Sequence, residues 1–223
     1  MNLLLADSLP SCLRHPPEAC RVPLFVVTDP VKFDPARTAV LSMDCQKSIV
    51  SAYVKDGQEA FLSRAANVLK HARTHRLMVI HIRVGFRPGW PEIGSRNQLF
   101  SAIKASPERQ QMFQGELGEV HPALRPEGDD IVVTKHRVSA FTGTDLDMVL
   151  RAHDIDSLVL FGIATSGVVL STLLGASDAD YRVAVLKDCC ADQDAELHSC
   201  LIEKLFPRRA TVITTAEFTA SIS

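Results

Sequence analysis

From Thr38 onward the chain alternates short apolar runs with longer segments of helical period. The runs fall at residues 39–43 (AVLSM), 77–82 (LMVIHI), 131–134 (IVVT), 157–161 (SLVLF), 183–186 (VAVL) and 211–214 (TVIT). Short continuous apolar runs of this kind, spaced by helical segments, are the pattern of parallel strands buried on both faces. Between the first two runs Phe61, Ala65, Leu69 and Ala72 recur at helical spacing, with Arg64, Lys70, His71 and Arg73 on other faces. A crossover helix covering one side of the sheet follows. A second helix is predicted after Thr144, where Thr144 and Asp147 resemble a capping box and Leu146, Val149 and Leu150 supply the buried stripe. A third begins near Val168 and carries Leu170, Leu173, Leu174 and Ala176, and a fourth begins near Asp194. The fourth buries Leu197, Cys200, Leu201 and Leu205 before Pro207 stops it. The expected fold class is α/β, built on six parallel strands.

Residues 1–37 are rich in proline and have no sustained period, so they read as an N-terminal extension without assigned chemistry. Residues 38–223 read as one domain, with no internal repeat and no linker dividing them. Inside that domain residues 84–130 form a long insertion containing Gly85, Pro88, Gly89, Trp90, Pro91 and Gly94, then a weak helical stretch from Asn97. Loops of that length in a compact domain are usually functional.

Composition removes several alternatives. The formal charge is 24 − 26 = −2 and no basic tract is present, which argues against a nucleic-acid partner. No stretch approaches the roughly 20 apolar residues of a spanning helix, so no membrane partner is expected. The first residues lack a basic segment and Asp7 interrupts their apolar run, which is not the pattern of a secretory signal. Six cysteines at positions 12, 20, 45, 189, 190 and 200 form neither a disulfide framework nor a C-x-x-C pair. A reducing, cytoplasmic setting fits them, and each reads first as a small hydrophobe.

In an open parallel sheet, ligands bind beyond the carboxyl ends of the strands. Four such ends carry polar chemistry: Asp44-Cys45-Gln46, His81-Ile82-Arg83, Thr134-Lys135-His136 and the segment from Gly162 to Gly167. A carboxylate and an ammonium leaving neighbouring strands can meet as an acid/base device, with the charge of Lys135 favouring ionised Asp44 unless burial opposes it. The alternative is a carboxylate capping a turn and an ordinary ion pair. The Gly162–Gly167 segment can turn backbone N–H groups toward an anion, but it lacks the terminal Gly-Lys-Ser/Thr of a P-loop.

Taken together, Asp44-Cys45-Gln46 after an apolar strand, Lys135 ending another, and Gly162-Ile163-Ala164-Thr165 leading to Leu170-Ser171-Thr172 resemble the isochorismatase-like hydrolase superfamily. Asp188 and Pro207 add to the likeness, which runs from about Thr38 to Thr214. The resemblance implies a Rossmann-like three-layer sandwich with a central six-stranded parallel sheet, assembled as a homo-oligomer, dimer or tetramer. It also implies a small-molecule substrate, no cofactor, and a catalytic aspartate and lysine at Asp44 and Lys135. The family's third group is a cysteine nucleophile, and here Val168 stands in its place, preceded by Gly167. An aliphatic side chain cannot attack a carbonyl.

Nicotinamidases and N-carbamoylsarcosine amidases of this family need the thiol, whereas true isochorismatases hydrolyse a vinyl ether without it. The resemblance therefore points to ether hydrolysis of a small anionic substrate such as isochorismate, with Asp44 as proton donor and pyruvate released. The alternatives are an inactive fold retained for ligand binding or assembly, and a C–N amidase using a displaced thiol, for which Cys189 is the better candidate. Arg83 and Arg96 match positions of substrate contacts, and guanidinium groups suit carboxylates. Trp90 and Phe141 are candidates for an apolar wall. Gln46, Ala164, Gly167 and Val168 complete the expected substrate-binding set. True isochorismatases have glycine at the place of Val168 and tyrosine at that of Ala164. The family often has a cis peptide in this turn, here Ile163–Ala164. No metal set is expected, because His81 lies within its strand, has no Asp-x-His beyond it, and reads as a core histidine.

Overall fold

Six strands, β1 (Thr38–Met43), β2 (Met78–Val84), β3 (Ile131–Lys135), β4 (Ser157–Ile163), β5 (Arg182–Ala191) and β6 (Thr211–Ile213), pair in the order β3-β2-β1-β4-β5-β6. All five pairings are parallel, as the apolar runs predict. This computed structural model describes residues 33–222.

Side-chain alternation sorts the strands' residues onto two faces. Val40, Val79, Val159 and Phe161 meet α1 (Lys47–Tyr53), α2 (Gln58–Thr74) and α8 (Thr215–Ser221) on one face. Leu41, Ile80, Leu160 and Val185 meet α5 (Leu146–Ala152), α6 (Leu170–Asp178) and the π-helical turn Leu201–Leu205 that follows α7 (Ala195–Cys200) on the other. The result is a helix–sheet–helix sandwich of the Rossmann-like kind. The insertion supplies α3 (Gln98–Lys104), whose Phe100 joins a satellite cluster with Trp90 and Ile93, and α4 (Pro107–Gln111).

Some local expectations are corrected. Strand β5 continues to Ala191, because Gly162 and Ile163 keep pairing with Cys190 and Ala191 past the last apolar residue of its run. Thr144 and Asp147 form no capping box. The Thr144 hydroxyl donates to the Ala140 carbonyl at 2.6 Å, and Asp147 accepts from Arg151 instead. Leu197 and Cys200 are exposed rather than buried, because a π-helical turn over Leu201–Leu205 directs Leu201, Ile202 and Phe206 inward. Most of the proline-rich extension, with Cys12 and Cys20, lies outside the described residues. Its end does not stand apart from the domain: Phe33 is buried, its ring 5.5 Å edge-on from Phe218.

One glycine decides how closely the two central strands approach. Gly162 has φ +142°, and a Cβ placed there would lie 2.0 Å from the Met43 carbonyl oxygen. Met43 is its register partner and immediately precedes Asp44. Only glycine allows this approach. Gly162→Ala is expected to cost more than about 4 kcal/mol, because the added carbon meets backbone rather than a movable side chain. Urea unfolding monitored by circular dichroism measures it, and an unchanged midpoint contradicts the close-approach argument.

Candidate active site

Asp44 is the first residue beyond β1. Its N–H donates to the Ile82 carbonyl of β2 at 2.8 Å, and its φ of +53° turns the chain off the strand. Lys135 ends β3, next to β2 in the sheet. The two side chains meet, with Lys135 Nζ 2.9 Å from Asp44 Oδ2. Lys135 is 1% exposed and Asp44 7%, so both charges are withdrawn from water. The ammonium also donates to the Arg137 carbonyl at 3.0 Å. Asp44 Oδ1 is buried and has no hydrogen-bond partner. Burial pushes the Asp44 carboxyl above the usual carboxylate range, against the smaller opposing pull of the Lys135 charge and hydrogen bond. An unpartnered oxygen on a carboxyl that favours its proton can both give and take one.

The pair opens onto a cleft of about 460 Å³ between the strand ends and the insertion. This is within the range of small-molecule sites. Ile163, Ala164, Gly167 and Val168 line it from the turn after β4, and the Ile163–Ala164 peptide is cis. Val168 is buried, in the same cleft as Asp44 and Lys135. The opposite wall comes from Leu99, Phe100, Ile103, Met112 and Phe113. Strand order reverses between β1 and β4, where open α/β sheets bind their ligands.

Five of the residues expected in the site thus share the cleft: Asp44, Lys135, Ala164, Gly167 and Val168. The others lie elsewhere. Gln46 is a buried structural bracket: its Nε2 donates to the Val84 carbonyl at 2.9 Å and the Gly118 carbonyl at 2.7 Å, and its Oε1 accepts from Val84 N–H at 2.7 Å. Those bonds tie the end of β2 to the far end of the insertion. Arg83 points away from the cleft and pairs with Glu119 and the Thr134 hydroxyl. Arg96 is exposed on the insertion and does not line the cleft. Trp90 is one layer behind the wall, its ring stacked 4.1 Å from Phe86. Phe141 stacks against Tyr181 at 6.0 Å, outside the cleft.

Arg109 is the cationic residue that sequence reasoning missed. It lines the cleft from α4 and forms no ion pair among the described residues. The Ser106-Pro107 helix start, with Ser106 accepting from Arg109 N–H at 3.3 Å, was its one local signal.

No cysteine lines this cleft among the described residues. Cys189, the displaced-thiol candidate, is fully buried in the core cluster beneath α2. Burial and Asp188 push its thiol well above the ordinary range, so it is neither ionised nor accessible. Cys45 and Cys190 are buried too, with thiols pushed up to about 12. His81 is a buried histidine whose Nε2 lies 3.1 Å from Asp130, itself held by Arg73 at 2.6 Å.

An Isochorismatase domain family matches residues 38–217. The chain belongs to the isochorismatase family. It is 30% identical over 195 residues to the uncharacterized isochorismatase family protein YwoC of Bacillus subtilis, covering 84% of this chain and 95% of that protein. It is 26% identical over 159 residues to maleamate amidohydrolase of Pseudomonas putida, covering 71% and 72%. The solved structure of an isochorismatase family protein from Burkholderia thailandensis superposes with a TM-score of 0.74 at 28% identity, covering 86% of this chain and 98% of that one. This isochorismatase-family chain therefore carries the family's parallel-sheet fold, with Asp44 and Lys135 joined at its strand ends and a hydrocarbon side chain in the same cleft.

Two substitutions test the local chemistry. Lys135→Met removes the charge and hydrogen bond that hold Asp44 down, so the Asp44 carboxyl midpoint followed by carbon NMR should rise further. A fall or no change contradicts the electrostatic coupling. Gln46→Leu strands Val84 N–H and two carbonyls, and is expected to cost about 2–4 kcal/mol in urea unfolding. A loss of ligand affinity with unchanged stability would instead return Gln46 to the binding set.

Proposed function

We propose that this isochorismatase-family protein hydrolyses the enol-ether bond of a small anionic substrate without a covalent thiol intermediate, with Asp44 as proton donor and acceptor. The observation that carries this reading is the buried carboxyl of Asp44, one oxygen on Lys135 and the other unpartnered, facing a cleft that contains Val168 and, among the described residues, no cysteine. Isochorismate is the substrate that represents this class.

Asp44 delivers its proton to the enolpyruvyl methylene carbon, whose C=C electron pair forms the new C–H bond. The adjacent carbon becomes an oxocarbenium. A water molecule adds its oxygen there and gives one proton to the Asp44 carboxylate. The resulting hemiketal loses its hydroxyl proton as its C–O bond to the ring breaks, the ring oxygen takes a proton, and pyruvate leaves. Asp44 ends as it began, protonated. Lys135 fixes the carboxyl's position and stabilises the carboxylate while it is charged. The N–H groups of Ala164 and Val168 supply anion-stabilising donors that do not depend on side-chain identity.

A second reading, C–N hydrolysis by direct attack of water, is favoured by the relative named maleamate amidohydrolase. It uses the same aspartate and lysine.

Coupled measurement of pyruvate from isochorismate separates the two. The expected result is pyruvate release that iodoacetamide does not inhibit and that falls about 10²- to 10⁴-fold in Asp44→Asn. Because Asp44 must be protonated and its pKa is raised, kcat should fall as pH rises through its midpoint. Turnover of amides with no pyruvate from isochorismate rejects the ether reading for the C–N one. Turnover of neither class rejects both.

A further inference from the structure

The charged side chains lining the cleft are Asp44, Lys135 and Arg109. Two of them neutralise each other only while Asp44 is ionised. With Asp44 holding its proton, as the proposed acid step requires, the cleft presents two uncompensated cations, one at the buried end and one on α4. Much of the remaining lining is hydrocarbon: Phe100, Met112 and Phe113 from the insertion, and Val168 from the turn after β4. The aromatic wall is backed by the Phe86–Trp90 stack, whose Phe86 ring meets Phe100 at 5.6 Å and Phe113 at 5.8 Å. Such a surface favours a flat apolar body rather than a hydrated chain.

Arg109 has the freedom that a ligand contact needs. Its backbone is fixed by the Ser106 cap and by the bond from Met112 N–H to its carbonyl at 3.3 Å, while its guanidinium has no acidic partner among the described residues. The other two arginines of expected substrate contact do not compete for the role, since Arg83 is paired with Glu119 and Arg96 is outside the cleft. A guanidinium presents paired N–H donors that match the two oxygens of a carboxylate.

We propose that Arg109 is a specificity-determining residue that binds a second carboxylate of a dianionic substrate, remote from the bond that breaks. One carboxylate stands near Lys135 and the scissile bond, the apolar body lies along Phe100, Met112 and Phe113, and the second carboxylate reaches the guanidinium. This inference rests on the reading of Asp44 as a protonated acid, because that protonation state creates the double positive charge. A monoanion leaves Arg109 unused.

Binding rather than turnover tests it. Titration calorimetry of the full chain with isophthalate and terephthalate, against benzoate and benzamide, compares two anionic groups with one and none. At least one diacid should bind about tenfold more tightly than benzoate, the advantage shrinking with added salt because Arg109 is exposed. Arg109→Gln should reduce that diacid to the affinity of benzoate while leaving benzoate unchanged, and Arg109→Lys should restore part of the difference. Equal binding of diacids and benzoate overturns the proposal, as does a diacid preference that survives Arg109→Gln, or no binding of any acid. An Arg109-dependent diacid preference in a protein that releases no pyruvate from isochorismate upholds the proposal and rejects the ether reading.

Discussion

A carboxyl and an ammonium, both nearly excluded from water, share one hydrogen bond where the strand order of the sheet reverses. Desolvating two such groups costs several kcal/mol each, and their attraction offsets that only in a fixed geometry. The surrounding structure supplies the fixity. Asp44 is tied through its N–H to β2, Lys135 is tied through its ammonium to the Arg137 carbonyl, and Gly162 lets β4 press against the residue before Asp44. Arg137 in turn donates to the Glu92 carbonyl at 2.9 Å, which locks the loop after β3 onto the insertion. The framework holds a pair that would otherwise separate into solvent, and leaves one carboxyl oxygen unused. That oxygen is the atom to which the proposed function assigns the proton transfer.

The strands were legible because burial on both faces leaves an unbroken apolar run, and the two core faces follow from alternation alone. The meeting of Asp44 and Lys135 was legible too, since both stand at carboxyl ends of strands in one parallel sheet. Gln46 bonds three backbone groups, and a polar residue beside a catalytic candidate looks the same in sequence whether it faces a ligand or such groups. Arg83 alternates with its neighbours along β2, and only the position of Glu119, 36 residues away, reveals that its charge is already matched. Arg109 lies in a stretch of weak period, where the contact with the cleft depends on how the insertion folds back. Short-range pattern contains no information about such a return.

Among the described residues no thiol lines the cleft, and Val168 takes part in its wall. The fold and the Asp44–Lys135 contact are present here, and the turn after β4 brings Val168 to the cleft. A hydrocarbon in the same cleft is in keeping with the burial that pushes the Asp44 carboxyl upward.

The insertion is fastened unevenly. Near its start Arg137 grips the Glu92 carbonyl, and near its end Gln46 grips the Gly118 carbonyl while Lys47 N–H and His121 N–H bond the backbone of Glu119 and Cys45. Between these anchors, the side-chain bonds that tie the insertion to the rest of the protein are few among the described residues: Ser48 to the Met112 carbonyl and Lys47 to Glu116. The stretch that carries Phe100, Arg109 and Met112 is therefore held less by hydrogen bonds than by the packing of Phe100 on Trp90 and Ile93. The cleft wall and the Arg109 guanidinium thus share one aromatic support, and a substitution in that packing would reach both.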